Sequence, residues 1–321
     1  MNQNTNRQAG GTIDRAPARL TIGTRGSPLA LWQANAVRDA LCAALGRAQA
    51  EIAIAVIRTS GDAIQDRALS EAGGKGLFTK EIEDQLLAGA VDLAVHSAKD
   101  VATVLPDGLH LSGYLPRADV RDALILKRGT SLDDLPAGAR VGTASLRREA
   151  QLRRLRPDLK VELLRGNVHT RLKRVREGDL DATLLALAGL TRLGLAQEAD
   201  AVLSTDAFLP AVGQGAVAIE CRIDDPATND AIAAIACAAT GIAVTTERAF
   251  LAALDGSCRT PIAGLACVEG AQVRLSGLVL APDGADAAAG VEAGPLAAAE
   301  AVGRALGARL RDSAPARALG L

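Results

Sequence analysis

The sequence predicts an α/β protein: two doubly wound lobes of alternating strands and helices, followed by a small α+β domain. Three observations carry this prediction. Short apolar runs of the kind found in strands buried on both faces alternate with segments of helical period through the first two-thirds of the chain. The same opening pattern occurs twice, I-G-T-R-G-S-P-L-A from residue 22 and V-G-T-A-S-L-R-R from residue 141, each reading as strand, Gly-Thr, serine cap and helix. From about Pro226 the texture changes to an alanine-rich helix, then an alternating strand over 272–280 and a last helix near 296–310.

Residues 20–23 read as the first strand. Ser27 caps the next helix and Pro28 takes its first position, where a missing N–H costs nothing. Leu31, Ala34, Val37, Leu41 and Leu45 then recur at helical spacing. Residues 52–57 form a second strand. Gly73-Gly74-Lys75-Gly76 is a glycine-rich loop without the spacing of a P-loop, and residues 79–87 form a helix that Gly89 ends.

Val91 to Val95 is the next buried strand, and polarity follows at once in His96, Ser97, Lys99 and Asp100. Ligands of open α/β sheets bind beyond the carboxyl ends of the strands, so this exit reads as the floor of a site. The plain alternative is a polar strand exit with a turn-capping aspartate. In the second half, strands are expected at 140–142, 160–164 and 181–186. Helices are expected from Leu146 and over 168–177, the latter ended by Gly178. Alternation of this kind implies parallel βαβ units.

Apolar residues make up 49% of the 321 but aromatics only 2%, so there are few platforms on which nucleic-acid bases could stack. A net charge of -1 gives no field to attract DNA or an anionic membrane. Five cysteines (42, 221, 237, 258, 267) show no C-x-x-C spacing and read as reduced thiols in a cytoplasmic protein, with no metal site. Residues 1–17 are polar and lack an apolar core, so they read as a loose tail rather than a signal peptide.

Six of the 36 basic residues are lysines, which leaves arginine to carry most of the positive charge. Arg147 and Arg148 fall in the first turn of a helix, where the dipole already favours anions, so an anionic ligand would explain cations there. Arg25, Arg165, Arg171 and Arg192 lie just beyond strand ends. A row of such guanidinium forks suits several carboxylates or phosphates, the alternative being solvated surface arginines. Cys258, in L-D-G-S-C-R-T-P, belongs to a tight loop beside Arg259 and is the cysteine most suited to exist as a thiolate.

Seven stretches in order make the chain similar to the porphobilinogen deaminase (hydroxymethylbilane synthase) family over about residues 19–310. They are T-R-G-S-P-L-A at 24, G-G-K-G-L-F at 73, H-S-A-K-D-V at 96, G-T-A-S-L-R-R at 142, R-G-N-V-H-T-R at 165, L-P-A-V-G-Q-G at 209 and E-R-A-F-L-A-A-L-D-G-S-C-R-T-P-I-A at 247. The resemblance implies two periplasmic-binding-protein-like lobes, 18–116 with 215–233 and 117–214, and a C-terminal α+β domain over 234–321. It implies an enzyme that joins four porphobilinogen units with loss of ammonia, on a dipyrromethane cofactor held by a thioether at Cys258.

By the same resemblance Asp100 is the catalytic aspartate. Ser97, Lys99, Thr143, Ser145, Arg147 and Arg148 hold the cofactor, and Arg25, Ser27, Arg165, Arg171 and Arg192 the substrate. Lys75 and Phe78 belong to a mobile loop, and Gln214 with Gly215 to a hinge. Departures from the family pattern are Ala98, Ala102 and Glu71. The expected partner is the small-molecule substrate alone, with no nucleic acid or membrane and the protein a monomer. The rival is a two-lobed solute-binding or effector-sensing protein for a polycarboxylate, which would need no loop cysteine.

Overall fold

The computed structural model describes residues 20–63, 77–256 and 260–319. The expected tail at 1–17, Glu71, Lys75 and Cys258 lie outside the described residues. The chain opens with β1 (Leu20–Thr24), α1 (Pro28–Leu45), β2 (Ile52–Val56), α2 (Ser60–Ala63), α3 (Lys80–Leu87), β3 (Leu93–Ser97) and β4 (Leu109–Tyr114). It continues with β5 (Asp122–Leu126), β6 (Arg140–Gly142), α4 (Leu146–Leu155), β7 (Lys160–Glu162), α5 (Val168–Arg176), β8 (Ala182–Ala186), α6 (Leu187–Arg192) and β9 (Ala201–Val202). Last come β10 (Val217–Arg222), α7 (Pro226–Ala233), α8 (Ala238–Ala253), β11 (Ile262–Glu269), β12 (Gln272–Leu280), β13 (Ala287–Pro295), α9 (Ala299–Arg311) and α10 (Ala314–Ala318).

Three sheets result. The first has the order β2-β1-β3-β10-β4, the second β7-β6-β8-β5-β9, and the third is the meander β11-β12-β13. The expectation of parallel pairing holds for β1 with β2 and β3, and for β6 with β7 and β8. It fails for β10 and β5, each antiparallel to both its neighbours. These two strands follow the segments by which the chain crosses between the sheets, so they enter from the end at which the βαβ strands leave.

Helix α1 begins as expected, with the Ser27 hydroxyl accepting from the Ala30 N–H and Pro28 in the first turn. Its buried stripe of Ala34, Val37 and Leu41 packs on Ile22, Val95 and Ile219 of the first sheet, while Ile82 and Leu86 of α3 cover the other face. The second lobe repeats the plan, with α4 and α5 on opposite faces. In the third unit Phe250 of α8, Leu254 just past its end, and Leu306 and Leu310 of α9 are buried against β11 and β12.

Gly215 lies on the return crossing with φ of +85°, and a Cβ there would come within 2.6 Å of the Ala118 carbonyl on the outward crossing. Only glycine lets the two segments pass so closely.

Candidate active site

Strand β3 delivers the site. Its last residue, Ser97, is held by the Nε2 of Gln33 from α1 at 2.9 Å, and a single 3-10 turn over Ala98–Asp100 follows. That turn sets Asp100 on the wall of a cavity shared with Arg25, Ser27, Gln33, Phe78, Thr79, His96 and Ser97. Arg25 stacks over the Phe78 ring, 4.2 Å from its centroid.

Across the cleft, Ser145 caps α4 by accepting from the Arg148 N–H, and the Ser145 N–H in turn donates to Thr143 Oγ1 at 3.1 Å. Arg147 and Arg148 then reach inward and are buried. Both close on Asp122, the first residue of β5: Arg147 Nη2 at 2.8 Å from Oδ2, Arg148 Nη2 at 2.6 Å from Oδ1. They are therefore neither solvated surface arginines nor open forks. Although burial pushes the Asp122 carboxyl up, the two guanidiniums hold it well below the usual carboxylate range.

Gln214 ties this knot to the other lobe. Its Nε2 donates to Asp122 Oδ1 at 3.0 Å and to the Val120 carbonyl at 2.8 Å, and its Oε1 lies 3.5 Å from Lys99 Nζ. Arg171 is on α5, as the helix expected over 168–177 requires, and donates to the Gly166 carbonyl at 2.9 Å. Arg165 precedes the Asn167 cap of that helix and is half-buried. Arg192, at the end of α6, reaches back to the first lobe: its Nη2 donates to the Gly215 carbonyl at 2.7 Å and its guanidinium stacks on Trp32.

Charges converge on the Asp100 turn from both lobes. Burial, then the charge of Arg148, pushes the Lys99 ammonium down to about 8, with Asp100 and Asp122 opposing. The same two causes push Arg171 down to about 10, with Asp100 opposing and Arg165 adding. Lys99, Arg147, Arg148 and Arg171 thus bring more positive charge than Asp100 and Asp122 neutralise. Arg147 Nε is buried with no hydrogen-bond partner among the described residues. Gly256, two positions before Cys258 in the sequence, accepts from Thr103 Oγ1 at 3.0 Å, three residues past Asp100.

Family models cover this architecture. The model for "Porphobilinogen deaminase, dipyromethane cofactor binding domain" matches residues 20–230, and that for the C-terminal domain of the same enzyme matches 242–312. A porphobilinogen deaminase of Nitrobacter hamburgensis is 58% identical over 92% of this chain and 93% of its own, and one of Paracoccus denitrificans 52% over 92% and 95%. This chain belongs to the porphobilinogen deaminase family.

Among solved structures, a periplasmic substrate-binding protein of an ABC transporter from Coxiella burnetii superposes with a TM-score of 0.43 at 14% identity. The match covers 67% of this chain and 91% of that one. Membership of the porphobilinogen deaminase family sets aside the solute-binding alternative. The residues present suit a dipyrromethane, whose acetate and propionate groups would meet the surplus of buried cations and the unpartnered Arg147 Nε.

Sequence reasoning missed Asp122, although an acid heading the apolar run D-A-L-I-L is a visible oddity. It also missed Gln33 and the pairing of Arg192 with Trp32, which no local pattern marks.

Proposed function

We propose that the chain joins four porphobilinogen molecules head to tail, expelling ammonia at each step, and releases hydroxymethylbilane by hydrolysis. The observation that carries this reading is Asp100, set by a one-turn helix into the cavity of Arg25 and Ser27 and beside a cluster of under-neutralised cations. The dipyrromethane, when bound, supplies the pyrrole to which the first substrate adds; Cys258 is the residue that holds it, with Lys99, Thr143, Ser145, Arg147 and Arg148 around it.

Each residue then has a task. Arg25 and Ser27 take substrate carboxylates, and Arg165, Arg171 and Arg192 those of the growing chain. Asp100 faces the pyrrole N–H, so its carboxylate stabilises positive charge as the aminomethyl nitrogen departs, a role that is strongest in a site shielded from water. Phe78 stacks on Arg25 in the cavity wall. Gln214 and Gly215 form a hinge between the lobes 18–116 with 215–233 and 117–214, and 234–321 carries the cofactor cysteine. Among the described residues no single helix is long and apolar enough to cross a membrane; the reading is of a cytoplasmic monomer that binds neither nucleic acid nor membrane.

Intact mass after denaturation tests it. A thioether survives unfolding, whereas a ligand held by arginines does not. The wild-type chain should be heavier than its sequence by two linked pyrroles, with further pyrrole steps after addition of porphobilinogen. Cys258→Ala should remove the added mass, and Cys42→Ala should not. A bare-chain mass in protein that turns over substrate would refute the cofactor attachment.

A further inference from the structure

A buried polar cluster lies behind the cavity wall, and none of the roles above uses it. His96 of β3 sets its Nε2 3.0 Å from Glu220 Oε2 on the neighbouring β10, with 3% and 0% of the two side chains exposed. Glu83 of α3 is buried beside them. Burial, with the charge of Glu220 added, pushes its carboxyl up. The Thr79 hydroxyl beside Glu83 opposes that rise, and Glu220 Oε1 is buried with no hydrogen-bond partner among the described residues.

Strand alternation puts the cluster there. Ala94 packs with Ile82 and Leu86 on the α3 side of the sheet, and His96, two residues on, points the same way, while Val95 faces α1. Ordinary packing would fill this face with apolar side chains, because burying two carboxyls and an imidazole is costly unless they are paired. His96 also lines the cavity of Asp100, Arg25 and Ser27. Its Nε2 is taken by Glu220, so Nδ1 is the nitrogen left for a molecule in that cavity.

We infer that His96, oriented by Glu220, protonates the ammonia expelled from the aminomethyl group of the substrate. The inference rests on the porphobilinogen-condensing reaction. The substrate's amine arrives as an ammonium. Its C–N bond breaks with both electrons passing to nitrogen, so neutral ammonia leaves and the positive charge remains on the pyrrole beside Asp100. Ammonia at that distance is a nucleophile facing an electrophile and would add back. An imidazolium that gives it the Nδ1 proton converts it to ammonium, which has no free pair. The neutral imidazole keeps Nε2–H on Glu220 and regains a proton from water before the next cycle. Burial makes the neighbouring Glu83 carboxyl hold its proton more tightly than an exposed one.

The experiment compares His96→Asn and Glu220→Gln with wild type, each checked for folding by thermal melting and for cofactor by intact mass. It measures kcat, KM and the return of [15N]ammonia into unreacted porphobilinogen. Loss of acid–base catalysis should lower kcat about 10²- to 10⁴-fold. KM should stay within about threefold, since binding groups are untouched. Both variants should return more label per turnover than wild type.

A His96→Asn kcat within about tenfold of wild type, or a lower kcat with no rise in returned label, would overturn the inference. The isosteric Glu220→Gln keeps the test decisive where His96→Asn does not fold. Turnover by the wild-type chain in the same assay tests the reaction itself, so the two failures are distinguishable.

Discussion

Arg117 and Glu247 face each other fork to fork, with hydrogen bonds of 2.7 and 3.0 Å. Glu247, fully buried on α8, also accepts from the Gly213 N–H at 2.6 Å and the Ala266 N–H at 2.8 Å, and Arg117 Nε donates to the Gln214 carbonyl at 2.9 Å. Both crossing segments and the C-terminal sheet therefore meet on one carboxylate. The bidentate geometry is the strong form of such a pair.

Breaking a buried pair by removing one partner costs about 3–5 kcal/mol. Glu247→Ala should lower the urea midpoint by an amount of that order, and Glu247→Gln by less, since its one remaining oxygen still accepts from one of the two N–H groups, Gly213 or Ala266. An unchanged midpoint in Glu247→Ala would show that the junction is held by other contacts.

Asp122 makes an acid-side prediction. Its carboxyl is depressed in the folded chain, so its contribution to stability is complete above the ordinary carboxylate range and is lost as pH falls below it. Asp122→Asn should be less stable at neutral pH, with two buried guanidiniums lacking their counter-charge, and should show a flatter loss of stability in acid. Parallel acid slopes for the two proteins, measured by urea titration at several pH values, would contradict this.

Lys99 makes the opposite one. Its ammonium titrates at about 8 when folded against an ordinary value of 10.5, so between those values the folded chain binds fewer protons than the unfolded one. Stability of the cofactor-free protein should therefore gain a rising component from pH 8 towards 10.5. Lys99→Met should abolish that component. Affinity for a polycarboxylate should fall over the same range in wild type, because the charge it meets is being lost.

Asp100→Ala should fold and still bind substrate, yet lose nearly all turnover, since among the described residues the cavity lining offers no second carboxylate. A kcat within about tenfold of wild type, a difference of roughly 1.4 kcal/mol or less, would remove Asp100 from its role.

Trp32 is the chain's one tryptophan, and the Arg192 guanidinium stands 5.4 Å from its ring centroid. Trp32 is on α1 of the first lobe and Arg192 on α6 of the second, so the contact spans the lobes. Its loss in Arg192→Leu should cost about 0.5–1 kcal/mol at such a partly exposed site. It should also change Trp32 emission in the ligand-free protein. Identical spectra would mean that the contact is not populated in solution.

The sequence by itself determined much of this protein. Buried strands and capped helices at Ser27, Ser145 and Asn167 are local events, set by side-chain period and by which hydroxyl or amide meets the first free N–H groups. Family motifs likewise marked Asp100, Arg25, Arg147, Arg148, Arg165, Arg171 and Cys258, because each motif is a contiguous run. Tertiary structure alone decided the antiparallel courses of β5 and β10, since strand direction depends on where a long crossing returns and not on the strand's own residues. It alone brought Asp122 to Arg147 and Arg148, which lie 25 and 26 residues away in sequence, and Glu220 to His96, 124 residues away. A buried charge is compensated by whichever partner the packed chain sets within about 3 Å of it, and sequence spacing carries no record of that distance.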